Sequence, residues 1–159
     1  MEYSQLDRKW MELALKKAKA AAREGEVPVG AVIVRDGECI AAAHNRCEQD
    51  HDATAHAERL AIEAACKRLG SWRLSECTMY VTLEPCSMCA GAAINARIAR
   101  IVYGARDARA GALGSVANLA ELPLEARPSV ESGLLEAESR ALLKDFFARM
   151  RKKDGEVSV

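Results

Sequence analysis

Residues 78–104 read TMYVTLEPCSMCAGAAINARIARIVYG, and the order of residue types in this stretch decides how the rest of the chain is read. The run TMYVTLE is rich in β-branched and aromatic residues and predicts a strand over 78–84. Pro85 then suits the first turn of a helix, where a missing N–H costs nothing, so a helix is expected over 86–96. ARIVYG, residues 99–104, is a further strand. Cys86 and Cys89 therefore stand three residues apart at the point where a strand feeds a helix.

Outward from this core, VGAVIVRDGECIAAAHN (29–45) carries two extended segments joined by Asp36-Gly37, a dipeptide suited to a tight hairpin because it accepts positive φ. The pattern from Ala55 to Leu69 is helical and stops before Gly70, a natural left-handed residue past a helix end. Trp10, Leu13, Ala14, Ala18 and Ala21 recur near helical spacing and make 5–24 an amphipathic first helix. ARDARAGALGS (105–115) is glycine-spaced and polar, a loop too long to be only a turn and a candidate wall for a site. SVESGL (129–134) reads as a short strand, and 134–153 closes the chain as a helix with a basic end. Strands alternating with helices predict an α/β fold whose sheet is covered on both faces.

The 159 residues fit one domain, 1–159, and half of them are hydrophobic (50%), enough for a real core. The formal net charge is zero, so any nucleic-acid role has to rest on a local patch. The charged, amphipathic N-terminus contains no apolar block long enough for a signal peptide or a membrane span, so a cytoplasmic location is expected. In a reducing compartment the six cysteines read as thiols or metal ligands. Cys39, Cys66 and Cys77 fall in apolar surroundings and are expected to be buried, with Cys47 the most exposed of the spare thiols.

A CxxC pair has three readings: a redox couple, half of a structural zinc site, or two ligands of a catalytic zinc. The remaining ligands decide. A redox couple leaves the polar cluster upstream unexplained. A closed zinc site needs a fourth ligand, for which His44, Cys47 or His51 would have to be recruited, although His44 and His51 read better as loop or backbone partners. The third reading draws on TAHAERLAIEAA (54–65), where His56 and Glu58 stand two apart at the start of a helix. Such residues share a face only where the chain is still extended, so His56 must precede the first helical turn. Two thiolates and one neutral imidazole balance a doubly charged ion and leave a fourth position for water. A water on zinc has a pKa near about 7 against about 16 in bulk, and Glu58, close but unligated, can carry its protons.

HAE followed by PCSMC resembles the zinc-dependent nucleoside and nucleobase deaminases, whose H-x-E and P-C-x-x-C signature it carries. VPVGAVIV, HNR, TAHAE, YVTLEPCSMCAGA, ARIVYGARD and AGALGS, in this order, are similar to the bacterial tRNA-specific adenosine deaminases, over a span from about residue 8 to residue 152. The resemblance implies a three-layer α/β/α sandwich around a central mixed five-stranded sheet, cytidine deaminase-like. It implies one Zn2+ per subunit on His56, Cys86 and Cys89, with Glu58 as the proton shuttle. Asn45 would hydrogen-bond the flipped nucleoside, Val29, Ala57 and Pro85 would also contact it, and Asp107 would lie near a flanking nucleotide. The implied reaction is attack of the zinc-activated water on C6 of a wobble adenosine, giving inosine and ammonia. The implied partners are a tRNA anticodon stem-loop, an arginine tRNA first among them, and a second copy in a homodimer. This chain departs from the family in Ala53, where proline is common, and in Arg109, where lysine is. Neither touches the ligands or Glu58.

Phe146, Phe147 and Arg151 in the last helix are candidates for stacking on bases and pairing with phosphates. Against that, phenylalanines also fill cores and a basic last turn complements the helix dipole. Zinc chemistry alone does not choose the base, so a small-molecule deaminase acting on guanine, cytosine or a nucleoside stands as an alternative, as does a non-catalytic RNA-binding zinc protein.

Overall fold

The computed structural model describes residues 2–157, with only the backbone of 156 and 157. In chain order the elements are α1 (Gln5–Arg23), β1 (Gly30–Arg35), β2 (Glu38–His44), a single-turn α2 (Cys47–Asp50), α3 (Ala57–Leu69), β3 (Thr78–Leu83), α4 (Ser87–Asn95), β4 (Arg100–Ala105), a 3₁₀ turn at Leu119–Glu121, β5 (Ser129–Ser132) and α5 (Glu136–Val157). The strands form one five-stranded sheet in the order β2-β1-β3-β4-β5. β1 is antiparallel to both β2 and β3, whereas β4 runs parallel to β3 and to β5, so the sheet is mixed as expected.

Alternation along each strand divides the core in two. Ala31, Ile33, Met79, Val81, Ile101 and Tyr103 face α3 and α4. Val32, Val34, Tyr80 and Val102 point the other way, onto Trp10, Met11 and Ala14 of α1. This period of two is what makes three layers from one sheet. Helix α1 lies so close to β1 that a Cβ on Gly30 would sit 2.0 Å from the Ala14 carbonyl oxygen, so glycine is required there for space. The β1–β2 turn has positive φ at both Asp36 (50°) and Gly37 (75°), which matches the strand twist of a tight hairpin. Gly70 ends α3 in the left-handed conformation. Among the described residues no helix is long and apolar enough to cross a membrane.

Asp7 ties α1 to the sheet. It closes a capping box with Ser4 and is 7% exposed. Its carboxylate accepts from the Tyr80 hydroxyl on β3 at 2.7 Å and from Arg100 Nη1 on β4 at 2.8 Å, and Arg100 also reaches Glu131 on β5 at 2.5 Å. The hydrogen bonds from Arg100 are the main reason that the Asp7 carboxyl is held well below the usual carboxylate range, against the opposing effect of burial.

Replacing Asp7 by Asn is expected to cost about 2–3 kcal/mol, since it leaves a largely enclosed guanidinium short of one partner. A depressed acid contributes stability that is complete above its unfolded value, near about 4, and is lost as pH falls through the folded one. Melting curves of wild type and Asp7→Asn should therefore differ by a constant amount at pH 5 and above and converge only below about pH 4. A gap that is absent at neutral pH would remove Asp7 as the tie.

Candidate active site

β3 runs out at Leu83, and Glu84-Pro85 carry the chain to Cys86, which is the N-cap of α4 with extended backbone (φ −73°, ψ 176°). His56 is the N-cap of α3 in the same conformation (φ −77°, ψ 150°). Neither N-cap residue caps its helix with its own side chain, and the positive ends of both helix dipoles lie at the place where the two meet. His56 stands outside the helix, as the spacing of His56 and Glu58 requires.

His56 Nδ1 lies 3.5 Å from the sulfur of Cys86 and 3.5 Å from that of Cys89, and the three potential ligand atoms all fall within 4.8 Å of one another. Tetrahedral zinc with ordinary bond lengths would hold a nitrogen and a sulfur about 3.5 Å apart. The donor set fits a borderline-soft dication bound by three protein ligands. Hydrogen bonds from Cys89 and His56 hold the Cys86 thiol down to about 3, and the Cys89 thiol is pushed far up by its bond to Cys86 and by burial. One thiolate thus faces one thiol, and a dication would displace the second proton.

Glu58, in the first turn of α3, is 4% exposed. Burial pushes its carboxyl up to about 7. A dication on the neighbouring ligands would draw it down again. Glu58 belongs with His56 and Cys86 to the lining of a recess of 230 Å³, whose other walls include Val29, Asn45, Leu83 and Asp107. The Asn45 side-chain oxygen accepts the Ala57 N–H at 2.8 Å, which fixes its orientation and leaves its NH2 to donate into the recess.

The recess opens into a groove of 630 Å³ that shares Val27, Leu83, Asp107 and Ala110 with it and is flanked by Arg106, Arg109, Phe147 and Arg151. The loop between them, 105–115, is the expected wall. Asp107 organises its turn, with Oδ1 accepting from Arg109 N at 3.0 Å and Ala110 N at 3.2 Å.

Three expected contacts are placed elsewhere. Ala57 is fully buried in the core and its N–H is already taken by Asn45, so it offers nothing to the recess. Pro85 is buried too, and its carbonyl accepts the Ala112 N–H at 2.8 Å, which makes it an anchor for the loop. Phe146 is 8% exposed and turns toward α1, where it shares a depression with Ala22 and Gly25. Phe147 meets it edge to face at 5.4 Å and is the one of the pair on the groove. His44 lies 3.6 Å from Glu24, His51 caps α2 on the surface, and neither joins the ligand cluster. Among the spare thiols only Cys77 is buried. Cys39 and Cys66, expected inside, are half-buried like Cys47, because each sits where its strand or helix meets the surface.

Besides Asp7, two buried carboxylates escaped the sequence reading. Glu84 is 2% exposed and accepts from the backbone N–H groups of Asp107 (3.1 Å), Leu113 (3.1 Å) and Ser115 (3.0 Å), and from the Ser115 hydroxyl. Burial alone would raise its carboxyl, but these four donors outweigh it and hold the group below its ordinary value. Glu26, 1% exposed, accepts from Glu48 N and Gln49 N at 2.9 Å and fixes α2 at the opposite wall. Glu84 stands out only as an acid in the apolar run VTLEP, and Glu26, at the end of the charged stretch REGE, carries no signal at all.

Residues 6–151 match the sequence profile of the MafB19-like deaminases. The tRNA-specific adenosine deaminase of Bacillus subtilis (strain 168) is 49% identical over 148 residues, covering 92% of this chain and 92% of that protein. The chain belongs to this deaminase family, together with the tRNA-specific adenosine deaminases. Its fold is similar to a solved structure of a tRNA:A34 deaminase described for A-to-I editing at the wobble position of transfer RNA, with 48% identity, TM-score 0.83, and coverage of 85% of this chain and 99% of that one. It is also similar to the guanine deaminase of Nitrosomonas europaea at 28% identity, TM-score 0.75, covering 89% and 84%. The resemblance drawn from the HAE and PCSMC motifs and the cytidine deaminase-like fold expected from it are both borne out.

The metal-binding competence of this deaminase site has a direct check. Titration with Co2+ is expected to give thiolate-to-metal charge-transfer absorption at one ion per chain, with proton release on binding and weaker affinity as pH falls. Cys89→Ser should lose the band while keeping the fold by circular dichroism. An unchanged band in Cys89→Ser would show that the ion sits elsewhere.

Proposed function

We propose that this chain is a hydrolase that converts adenosine to inosine at the wobble position of a tRNA anticodon, with one Zn2+ held by His56, Cys86 and Cys89. The observation that carries the reading is a three-ligand cluster with a buried, unligated carboxylate beside it, at the bottom of a recess that widens into an arginine-flanked groove. When bound, zinc supplies acidity to a coordinated water, so that a nucleophile for C6 exists at neutral pH.

Glu58 takes one proton of that water and gives it to N1 of the adenine ring, then takes the second from the hydroxyl now on C6 and gives it to the departing amine, so that adenosine and water become inosine and ammonia. The Asn45 NH2 donates to the target nucleoside, and Val29 gives the base an apolar wall. Glu84 also lines the recess, but its oxygens are engaged by four donors, which leaves Glu58 as the carboxylate free to move protons. Asp107, Phe147 and Arg151 meet the flanking nucleotides. The whole chain acts as one catalytic domain in the cytoplasm. An arginine tRNA as substrate and assembly into a homodimer are supported by the family resemblance alone.

A second reading, deamination of free guanine, is favoured by the similarity to the Nitrosomonas europaea enzyme. A free base has no use for the arginines and Phe147 of the adjoining groove, so that reading ranks second.

Zinc-loaded protein incubated with an arginine anticodon stem-loop carrying wobble adenosine is expected to yield inosine on nucleoside analysis, and to leave free adenosine, guanine and cytidine unchanged. Conversion of a free base with the RNA untouched would overturn the substrate. Glu58→Gln should retain zinc and lose about 100- to 10,000-fold in kcat; wild-type turnover in that variant would end the shuttle role. Stem-loop affinity should fall as salt rises, and Arg151→Ala should weaken binding and flatten the log–log slope by about one. An unaltered slope would take Arg151 out of the RNA contact.

A further inference from the structure

The 105–115 loop borders both the recess and the groove, yet nothing in its own composition holds it in place. It contains two glycines and four alanines, and its one internal organiser is Asp107, which shapes the turn at its near end. At its far end the N–H of Leu113 is buried and that of Ser115 is partly enclosed, where an amide without an acceptor is costly. Both are met by one oxygen of Glu84, while the other oxygen takes Asp107 N and the Ser115 hydroxyl. A single side chain thus grips both ends of the loop. The fit is tight: a Cβ on Gly111 would lie 2.3 Å from both Cδ and Oε2 of Glu84.

We propose that Glu84 is a positioning residue for substrate binding: its carboxylate pins the 105–115 loop against the end of β3, and so sets the wall that presents Asp107 and Ala110 to the recess and Arg106 and Arg109 to the groove. The catalytic groups stand on other elements, His56 and Glu58 at the start of α3 and Cys86 and Cys89 at the start of α4. Loosening the wall therefore changes how substrate is held more than how it reacts. The effect is largest for a substrate long enough to lie along the groove, because the loop borders both spaces. The consequence for substrate rests on the tRNA reading above, whereas the grip of Glu84 on the loop stands independently of it.

The test uses the zinc-loaded full chain and four variants. Glu84→Gln replaces an acceptor by an NH2 that faces N–H groups. Ser115→Ala removes one donor 29 residues away from Cys86, Ser115→Thr keeps the hydroxyl, and Gly111→Ala displaces the carboxylate. Amide hydrogen exchange read by mass spectrometry should rise about 10- to 100-fold in peptides covering 105–116 in Glu84→Gln, and less in Ser115→Ala, with zinc content unchanged. On the anticodon stem-loop, KM should rise about tenfold or more in Glu84→Gln and Gly111→Ala and about threefold in Ser115→Ala, with kcat within about twofold and Ser115→Thr close to wild type. Should Glu84→Gln fail to fold, Ser115→Ala and Gly111→Ala carry the same comparison. Unchanged exchange in the loop, or a fall in kcat at constant KM that tracks zinc loss, would overturn the proposal. If wild type leaves the stem-loop untouched, the tRNA reading fails, and exchange protection still decides whether Glu84 holds the loop.

Discussion

Everything at the site depends on two helices beginning at one point. A nitrogen must lie 3.5 Å from each of two sulfurs that are 30 and 33 positions away from it in sequence, and no local turn does this. The fold does it by placing the N-caps His56 and Cys86 at the same end of the sheet, each with the extended backbone of a residue that has not yet entered its helix. Because β1 runs antiparallel to β3, Val29 before β1 arrives at the same end as Leu83 at the close of β3. The sheet's mixed order thereby brings both apolar walls of the recess to the ligand cluster. Two helix N-termini facing that cluster favour thiolate, so the geometry that gathers the ligands also prepares their charge state.

Convergence alone leaves the loops above the strand ends without support, and buried carboxylates supply it. Glu26 and Glu84 each accept backbone N–H groups on opposite walls, while Asp7 does the equivalent between α1 and the sheet through Tyr80 and Arg100. A carboxylate suits this task because each of its oxygens can take two donors, which lets one side chain meet several amides in different directions. Such an acid is useless for proton transfer, since its lone pairs are committed. Glu58 differs in this respect: burial outweighs the donors it has, its own backbone N–H and the Cys89 thiol, and leaves it raised where Glu84 is lowered. Two glutamates beside one recess are thus shifted in opposite directions by what surrounds them.

Most of this architecture was legible in the residues. A β-rich run, a proline and CxxC announce the strand-to-helix junction, Asp36-Gly37 the hairpin, and Gly70 the end of α3. His56 and Glu58 announce a helix mouth. What stayed hidden depends on distant partners. The donors to Glu84 and Glu26 lie 22 to 31 residues away, which no periodicity records. Phe146 and Phe147 are neighbours on one helix and point in different directions, so the one that faces the groove is fixed only once α5 has docked against α1 and β4. Ala57 and Pro85 belong to the motif that marks the chemistry, yet their work is to fill the core and to anchor a loop. The four-residue α2 is too short to produce a helical period at all.

The same division explains how one catalytic cluster serves several deaminases. A guanine deaminase at 28% identity and a tRNA:A34 deaminase at 48% share this fold with the chain. Zinc on the His–Cys–Cys cluster with a glutamate beside it would fix the reaction type, water adding to a ring carbon and an amine leaving, and that chemistry would not distinguish one purine from another. Discrimination must come from the walls, which in this chain are an asparagine turned into the recess by its bond to Ala57 and a loop gripped by Glu84. Walls held by a few strong hydrogen bonds to conformation-free backbone can be re-shaped by changing the loop residues without disturbing the strand ends or the two helix N-termini. Specificity in this fold is therefore carried by the elements least visible in the motif, and the motif identifies the chemistry more surely than the substrate.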